Sequence, residues 1–124
     1  MDKYLKFYFG VILFSFLTIS LAQKLALDPI NVAPHIFELL YENNQVRILK
    51  VTDRNGDTRP LHSLRNRIVV YLSPCAWMRK TSNGDLMMES FKLGDVAWRN
   101  AITDGGRTSN VVQECSSLEI EIKE

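Results

Sequence analysis

Hydrophobic and polar residues alternate along this chain in short runs rather than with a helical period. The most regular run, Leu118 to Glu124, predicts a strand that buries Leu118, Ile120 and Ile122 and exposes the intervening charges. After the first 22 residues no helical periodicity of useful length follows. Turn signals recur about every ten residues, which is typical of an all-β sandwich or barrel.

The other predicted strands are separated by turn residues. Asn55-Gly56 and Asn83-Gly84 favour tight hairpin turns, because glycine readily adopts positive φ angles. The predicted strands cover residues 36–41, 45–51, 61–64, 68–73, 76–81, 86–93, 96–100 and 109–114, besides the last run.

The N-terminal residues predict a secretory signal peptide. A basic start from Met1 to Lys6 precedes an apolar segment from Phe7 to Leu21, and Ser20-Leu21-Ala22 is a small-residue cleavage site. The apolar segment is shorter than the roughly 18 to 20 residues that a spanning helix needs, so a retained membrane anchor is the alternative. We expect cleavage after Ala22 and a secreted or periplasmic protein.

Two regions then follow the signal peptide. Residues 23–36 form a lead-in segment along the outside of the domain, in which Pro29 and Pro34 discourage regular structure. Residues 37–124 form one domain, large enough for a modest core. Loss of Lys3, Lys6 and Asp2 from the 15 basic and 14 acidic residues leaves equal numbers of each. A neutral mature chain gives no general electrostatic reason to bind nucleic acid.

Two motifs carry a family resemblance. Gly56 is followed after five residues by His62-Ser63-Leu64, and Gly94-Asp95-Val96 leads towards Asp104. Together with an opening strand at Tyr41–Leu49, they resemble the cupin superfamily, in particular its small single-domain bacterial members. The resemblance spans nearly all of the mature chain and implies a double-stranded β-helix, a jelly roll with a ligand site inside one end.

The resemblance also implies a metal site, but most of the ligand positions carry other residues. His62 stands at the first histidine position, Leu64 at the second, Ile68 or Val69 at the glutamate and Asp104 at the last histidine. First-row metals usually need at least three such ligands, so we expect no cofactor. A divalent transition metal held by His62 and Asp104 with unconventional ligands is the alternative. His62 itself is either a structural imidazole, bonded to Asp104 or to backbone, or a general base.

The motif connections carry several arginines. In the implied topology Arg65, Arg67, Arg99 and Arg107 meet at the ligand end, where guanidinium groups can bind a carboxylate or phosphate. The sharper hypothesis is a pocket for a small anionic or organic ligand, with Trp98 as an aromatic contact. The alternative is that the arginines are solvated at the rim or paired with Asp95 and Asp104.

The same implied topology brings Cys75 and Cys115 to the far end of the barrel, where a disulfide is feasible in an exported protein. Two small buried hydrophobic residues are the alternative. We therefore expect an exported cupin-like protein without catalytic activity that binds a small ligand or acts as an accessory module. A metal-dependent dioxygenase or isomerase using His62 is the competing function, and the resemblance also allows a homodimer.

Overall fold

The computed structural model describes residues 26–108 and 110–123. The predicted signal peptide, residues 1–22, lies outside the described residues. The described chain forms one short helix and eleven strands: α1 (Pro29–Val32), β1 (Phe37–Glu42), β2 (Val46–Asp53), β3 (Thr58–Arg59), β4 (His62–Leu64), β5 (Arg67–Tyr71), β6 (Cys75–Lys80), β7 (Leu86–Phe91), β8 (Val96–Arg99), β9 (Ile102–Asp104), β10 (Arg107–Thr108) and β11 (Cys115–Ile122). Within these residues, none of the helical structure has the length and apolar character that crossing a membrane requires.

The strands form an antiparallel jelly roll, as the sequence predicts. One wall is a five-stranded sheet in the order β1-β2-β11-β5-β8, and three two-stranded pairs, β10-β3, β4-β9 and β6-β7, complete the fold. The pairs β4-β9 and β10-β3 join strands that are far apart in sequence. These distant pairings bring the two motif regions together on one side of the barrel.

The lead-in segment differs from the prediction, because it contains helix α1 and its end is buried. Pro29 occupies the first turn, where its missing N–H has no helical partner to lose, and Asp28 caps the helix by accepting a hydrogen bond from the Ile30 N–H at 3.1 Å. Ala33 and Ile36 then pack against Phe37 and Leu49 in a hydrophobic cluster. This segment therefore contributes to the core instead of lying along the outside.

The face of the last strand is the largest error of the sequence prediction. The alternation in β11 is correct, but Glu119 and Glu121 point into the barrel while Leu118, Ile120 and Ile122 are only half-buried. Glu121 is completely buried. Both glutamates form ion pairs with arginine side chains inside the barrel. These partners allow the charged residues of the strand to be buried.

The predicted strand over residues 109–114 is wrong for its described part, residues 110–114. Only Val111 takes part in a β-bridge there, with Trp77. Strands β9 and β10 precede this segment instead, and they pair with β4 and β3. Every other predicted segment contains a strand.

A disulfide joins the two walls at the end of the barrel opposite the β4–β5 connection. Cys75 and Cys115 are bonded, with their Cα atoms 5.0 Å apart, and both are buried. They belong to a cluster with Val69, Tyr71 and Val111. The disulfide therefore ties β11 to β6 across the hydrophobic interior.

Candidate functional site

A cavity of about 110 Å³ lies inside the barrel, between the five-stranded sheet and the three strand pairs. Val69, Tyr71 and Trp77 form the apolar part of its wall. Charged and titratable side chains form much of the remainder: Asp53, Arg59, His62, Arg67, Arg79, Arg99, Asp104 and Glu119. The cavity therefore combines a small volume with a highly charged lining.

His62 and Asp104 lie side by side on neighbouring strands of one wall. They are direct register partners in the β4-β9 pair, and His62 is fully buried. The Nδ1–H of His62 donates to the Pro60 carbonyl at 2.8 Å, since a carbonyl oxygen can only accept. In the neutral imidazole, Nε2 therefore carries the lone pair.

A glycine permits this arrangement of the two motif loops. Gly105 has φ +129°, and a Cβ built there would approach the Pro60 carbonyl oxygen to 2.1 Å. The next residue, Gly106, donates its N–H to the Arg59 carbonyl at 2.6 Å. The close backbone approach fixes the β3–β4 connection against the β9–β10 connection, and so holds His62 opposite Asp104.

Electrostatics keep His62 neutral. Burial lowers the pKa of His62 below its ordinary value, and the positive charges of Arg59 and Arg67 act in the same direction. The hydrogen bond to Pro60 and the charge of Asp104 oppose the shift without reversing it. At neutral pH the cavity thus contains an uncharged imidazole.

Each arginine of the cavity wall has a carboxylate partner. Arg67 Nε lies 2.8 Å from Glu119 Oε2, and Arg59 Nη1 lies 2.8 Å from Asp53 Oδ2. Arg99 is bound by Glu89 at 2.8 Å and sits over the Phe91 ring. Of the arginines that the sequence predicts as anion ligands, Arg67 and Arg99 are therefore largely neutralised.

Most of these buried polar atoms are paired. Arg67 Nε and Glu119 Oε2 contact each other as an ion pair, and only Asp53 Oδ1 and Arg59 Nε among the polar atoms of these two pairs are buried without a contact of their own. Burial raises the pKa of Glu119, and the nearby charges of Arg67 and Arg59 oppose this shift. The charged lining of the cavity is therefore held mainly in ion pairs.

The sequence-predicted site residues divide into three groups. Arg67 and Arg99 line the cavity and are direct register partners on β5 and β8. Arg65 instead lines a separate open depression of about 670 Å³ at the barrel mouth. The side chain of Arg107 lies outside the described part of the structure, although its backbone pairs with Arg59.

Trp98 is on the opposite side of the sheet from the cavity. Its neighbours on β8, Ala97 and Arg99, face inwards, so Trp98 points outwards and is 56% exposed. Its indole N–H donates to Asn100 at 2.9 Å. The expectation that Trp98 contacts a ligand in the barrel therefore does not fit this geometry, and Trp77 supplies the tryptophan of the cavity wall.

Sequence reasoning missed Asp53, Arg59 and Glu119. Asp53 and Glu119 alternate along their strands with residues that the sequence pattern assigns to the buried face. Arg59 precedes a proline in a connection between strands. The only signal was the equal number of basic and acidic residues in the mature chain, which permits internal ion pairs without locating them.

The donor set does not fit the metal that the resemblance implies. Among the described residues no three histidine, cysteine, aspartate or glutamate side chains come together as metal ligands. His62 and Asp104 supply one imidazole and one carboxylate, and the positive charges of Arg59 and Arg67 lie close enough to depress the pKa of His62.

The fold resembles a known structure. A cupin domain from Bordetella pertussis Tohama I, determined by crystallography, matches with 21% sequence identity and a TM-score of 0.52, over 72% of this chain and 93% of that chain. No protein-family model matches the chain, and no curated protein matches it. At this identity the likeness concerns the fold, whereas any activity has to be argued from the cavity.

Proposed function

Since the chain has the cupin fold, we propose that it is a binding protein whose barrel cavity holds a small polar ligand. The observation that carries this proposal is the cavity itself, because apolar side chains and the Asp53–Arg59 and Arg67–Glu119 ion pairs line one space inside the barrel. A small molecule with polar and apolar parts can contact both kinds of wall. The proposed role is binding without catalysis.

The small volume restricts the ligand. A cavity of about 110 Å³ is well below the roughly 300 to 1,000 Å³ of pockets for drug-sized molecules. It corresponds to the space of on the order of three to four waters. We therefore infer a compact metabolite, or one end of a longer molecule that enters through the mouth.

A metal-dependent dioxygenase or isomerase is the competing function. It would need His62 and Asp104 to recruit further ligands, and the described residues contribute no third donor to them. Metal analysis of the purified mature protein tests this alternative. Iron, manganese, nickel, copper or zinc near one ion per chain would replace the binding proposal with the enzymatic one.

Calorimetry and thermal denaturation with small acids, amines, amino acids and polyols test the binding proposal. We expect at least one class to raise the unfolding temperature and to bind with one molecule per chain. Ser117 lines the cavity, so Ser117→Leu fills it and is expected to abolish binding.

The adjacent residue provides a matched control. Ser116 lies on the same strand and points to the other face, so Ser116→Leu adds the same volume away from the cavity. Equal binding by the two variants, or no binding by any compound to the unaltered protein, would contradict the proposal.

We also infer that the protein works outside the cytoplasm. The Cys75–Cys115 disulfide supports this, because disulfides persist mainly in oxidising compartments. N-terminal sequencing of the protein recovered from the periplasm or medium tests the prediction, with Gln23 expected as the first residue. Recovery of uncleaved protein from the cytoplasm, with two free thiols, would contradict it.

A further inference from the structure

We propose that the outer face of the five-stranded sheet is the surface through which two copies of this chain pack against each other. The outer face consists of the side chains on β1, β2, β11, β5 and β8 that point away from the barrel. It lies on the other side of the sheet from the cavity, so this inference does not depend on what the cavity binds.

An apolar row crosses all five strands of this face. Residues directly opposite each other in an antiparallel pair point to the same side of the sheet. The register places five such residues in line from β1 to β8: Tyr41, Ile48, Ile120, Ile68 and Trp98. The outer face is therefore apolar from one edge of the sheet to the other.

A second row, two residues along each strand, continues the apolar surface. It contains Leu118, Val70 and Val96 on β11, β5 and β8. At the β1 margin of the same row, Lys50 and Glu38 are register partners of opposite charge. The charged side chains of these two rows therefore lie together at one margin, and the remainder of both rows is apolar.

The described part of the chain does not cover this surface. Neither of its two hydrophobic clusters includes a side chain of the outer face. Tyr41, Val96 and Trp98 are each more than half exposed. Contiguous apolar patches larger than a few hundred Å² are rare on soluble monomers and mark interaction sites. The outer face therefore needs a partner surface.

The area of the outer face is sufficient for a reversible dimer. Five strands about 4.8 Å apart, with three outward apolar positions about 6.8 Å apart on β11, give a surface of about 24 Å by about 20 Å. Contact through it would bury on the order of 500 Å² per copy, or about 1,000 Å² for the pair, which reaches the lower limit for a specific interface. An interface of this size dissociates on dilution.

The distribution of charge favours a second copy as the occupant. A two-fold dimer brings the same surface of each copy together, so that surface has to be complementary to itself. An apolar face meets this condition, because no like charges oppose each other across its centre. The predicted mature chain has equal numbers of basic and acidic residues, so two copies do not repel each other through net charge. Nucleic acid or an anionic membrane would need a basic surface instead.

The side-chain types also suit packing of one sheet on another. Two sheets that pack face to face lie about 10 Å apart, and the side chains of their facing surfaces interdigitate. The centre of the outer row consists of the β-branched residues Ile48, Ile120 and Ile68, and its two ends are aromatic, at Tyr41 and Trp98. Aromatic residues are enriched at protein interfaces.

Light scattering by the purified mature protein over a range of concentrations tests the proposal. We expect the measured mass to rise from that of one chain towards that of two chains as the concentration increases. A mass of one chain at every concentration would overturn the proposal.

A charge placed in the middle of the outer row tests whether the dimer uses this face. Ile68→Lys would bury an unpaired ammonium group in each copy, so the dissociation constant should rise at least about ten-fold. Val96→Lys makes the same test at a more exposed position, where an added charge does not disturb the fold of one copy. A dimer that both folded variants form as tightly as the unaltered protein does would contradict the assignment.

Leu86→Lys is the matched control. It adds the same charge at an exposed apolar position of β7, which belongs to another strand pair. We expect it to leave the dissociation constant unchanged. Weakening by Leu86→Lys equal to that by Ile68→Lys would show that the added charge acts without regard to the face, and the assignment would fail.

The fluorescence of Trp98 reports on the outer face directly. The sequence contains two tryptophans, so Trp77→Phe leaves Trp98 as the one emitter. Its emission should move to shorter wavelength over the same concentrations at which the mass doubles, because the indole leaves water. A dimer without this shift uses another surface, and the proposal is then wrong. A monomeric uncleaved chain with shifted emission would show that its own apolar segment, residues 7–21, covers the face in place of a second copy.

Discussion

Two neighbouring rows of the five-stranded sheet have opposite chemistry, and the charged row is the one turned inwards. One inner row runs across four neighbouring strands and contains Arg47, Glu121, Arg67 and Arg99. The outer row one residue away contains Ile48, Ile120, Ile68 and Trp98. Alternation along a strand therefore identifies two faces without showing which one is buried.

Ion pairing explains why the charged face tolerates burial. Glu121 Oε2 accepts from Arg47 Nε at 2.7 Å, and its Oε1 accepts from the Arg65 backbone N–H at 2.9 Å. Arg47 is also bound by Asp28 at 2.7 Å. Each charge in this group has at least two partners, which offsets much of its desolvation.

The largest expected effect is the loss of one buried partner. Glu121→Ala leaves the Arg47 guanidinium without its buried carboxylate and should lower the free energy of unfolding by about 3 to 5 kcal/mol. Urea denaturation measures the change. The control is Glu114→Ala at the exposed Arg54 pair, for which we expect less than about 1 kcal/mol.

A double variant sharpens this result. Arg47→Met with Glu121→Leu replaces both charges by apolar groups and should recover most of the stability lost in Glu121→Ala, because no unpaired buried charge remains at either position. If Glu121→Ala and Glu114→Ala lower the free energy of unfolding by similarly small amounts, the inner face is solvated.

The disulfide is the covalent contact of the inner face. Its two cysteines are 40 residues apart, so replacing both by alanine should cost about 2 to 4 kcal/mol through the larger conformational entropy of the unfolded chain. Denaturation of the variant, compared with the unaltered protein under non-reducing conditions, measures the loss. Equal stability would show that the bridge does not restrict the unfolded chain.

Two adjacent valines compare the faces with the same substitution. Val69 is buried against the cavity, whereas Val70 is half-buried on the outer face. Valine to threonine keeps the shape and adds a hydroxyl group, so Val69→Thr should cost about 1 to 3 kcal/mol. Val70→Thr should change the free energy of unfolding by no more than about 0.5 kcal/mol. Urea denaturation of both variants at low protein concentration tests the difference.

The Val70→Thr variant also bears on the homodimer that the resemblance allows. A second copy packed on the outer row would bury Ile68 and Trp98 and would make the cost of Val70→Thr depend on protein concentration. Solution mass measured over a range of concentrations tests this. A monomer at all concentrations, with no change in the cost, would contradict a dimer through this face.

Much of the fold was predictable because it depends on local patterns. Turn residues such as Asn55-Gly56 and the period of two located most strands, and the two motifs indicated the jelly roll. The orientation of β11 was not predictable, because the positions of Arg47 and Arg67 opposite Glu121 depend on pairings between strands distant in sequence.

The candidate site was predictable only in part for the same reason. His62 and Asp104 were expected to lie together at the site, and they are neighbours as register partners of β4 and β9. Arg59 was missed because its pairing with Asp53 depends on how the connection after β2 folds back. Segment 109–114 looked like a strand from its composition, but the described part of it has a single bridge, at Val111.

The last expected effect is the pH dependence that the buried histidine gives to stability. Burial lowers the pKa of His62, so the unfolded chain takes up a proton near pH 6.5 while the folded chain does not. Stability should therefore fall as the pH drops below about 6.5, by up to about 1.4 kcal/mol per pH unit, until the folded pKa is passed.

Substitution isolates this contribution from that of Glu119, which has the opposite sign. Because burial raises the pKa of Glu119, the folded chain holds its proton above pH 4.5 and loses stability as the pH rises through that window. His62→Asn keeps an N–H for the Pro60 carbonyl but cannot titrate, so urea denaturation at pH 7.5, 6.5 and 5.5 should show a smaller loss than in the unaltered protein. The unaltered protein, measured at the same three pH values, is the reference. If His62→Asn keeps the original pH dependence, the imidazole gains its proton as readily in the folded barrel as in water, and the inner face would be no less hydrated than the outer one.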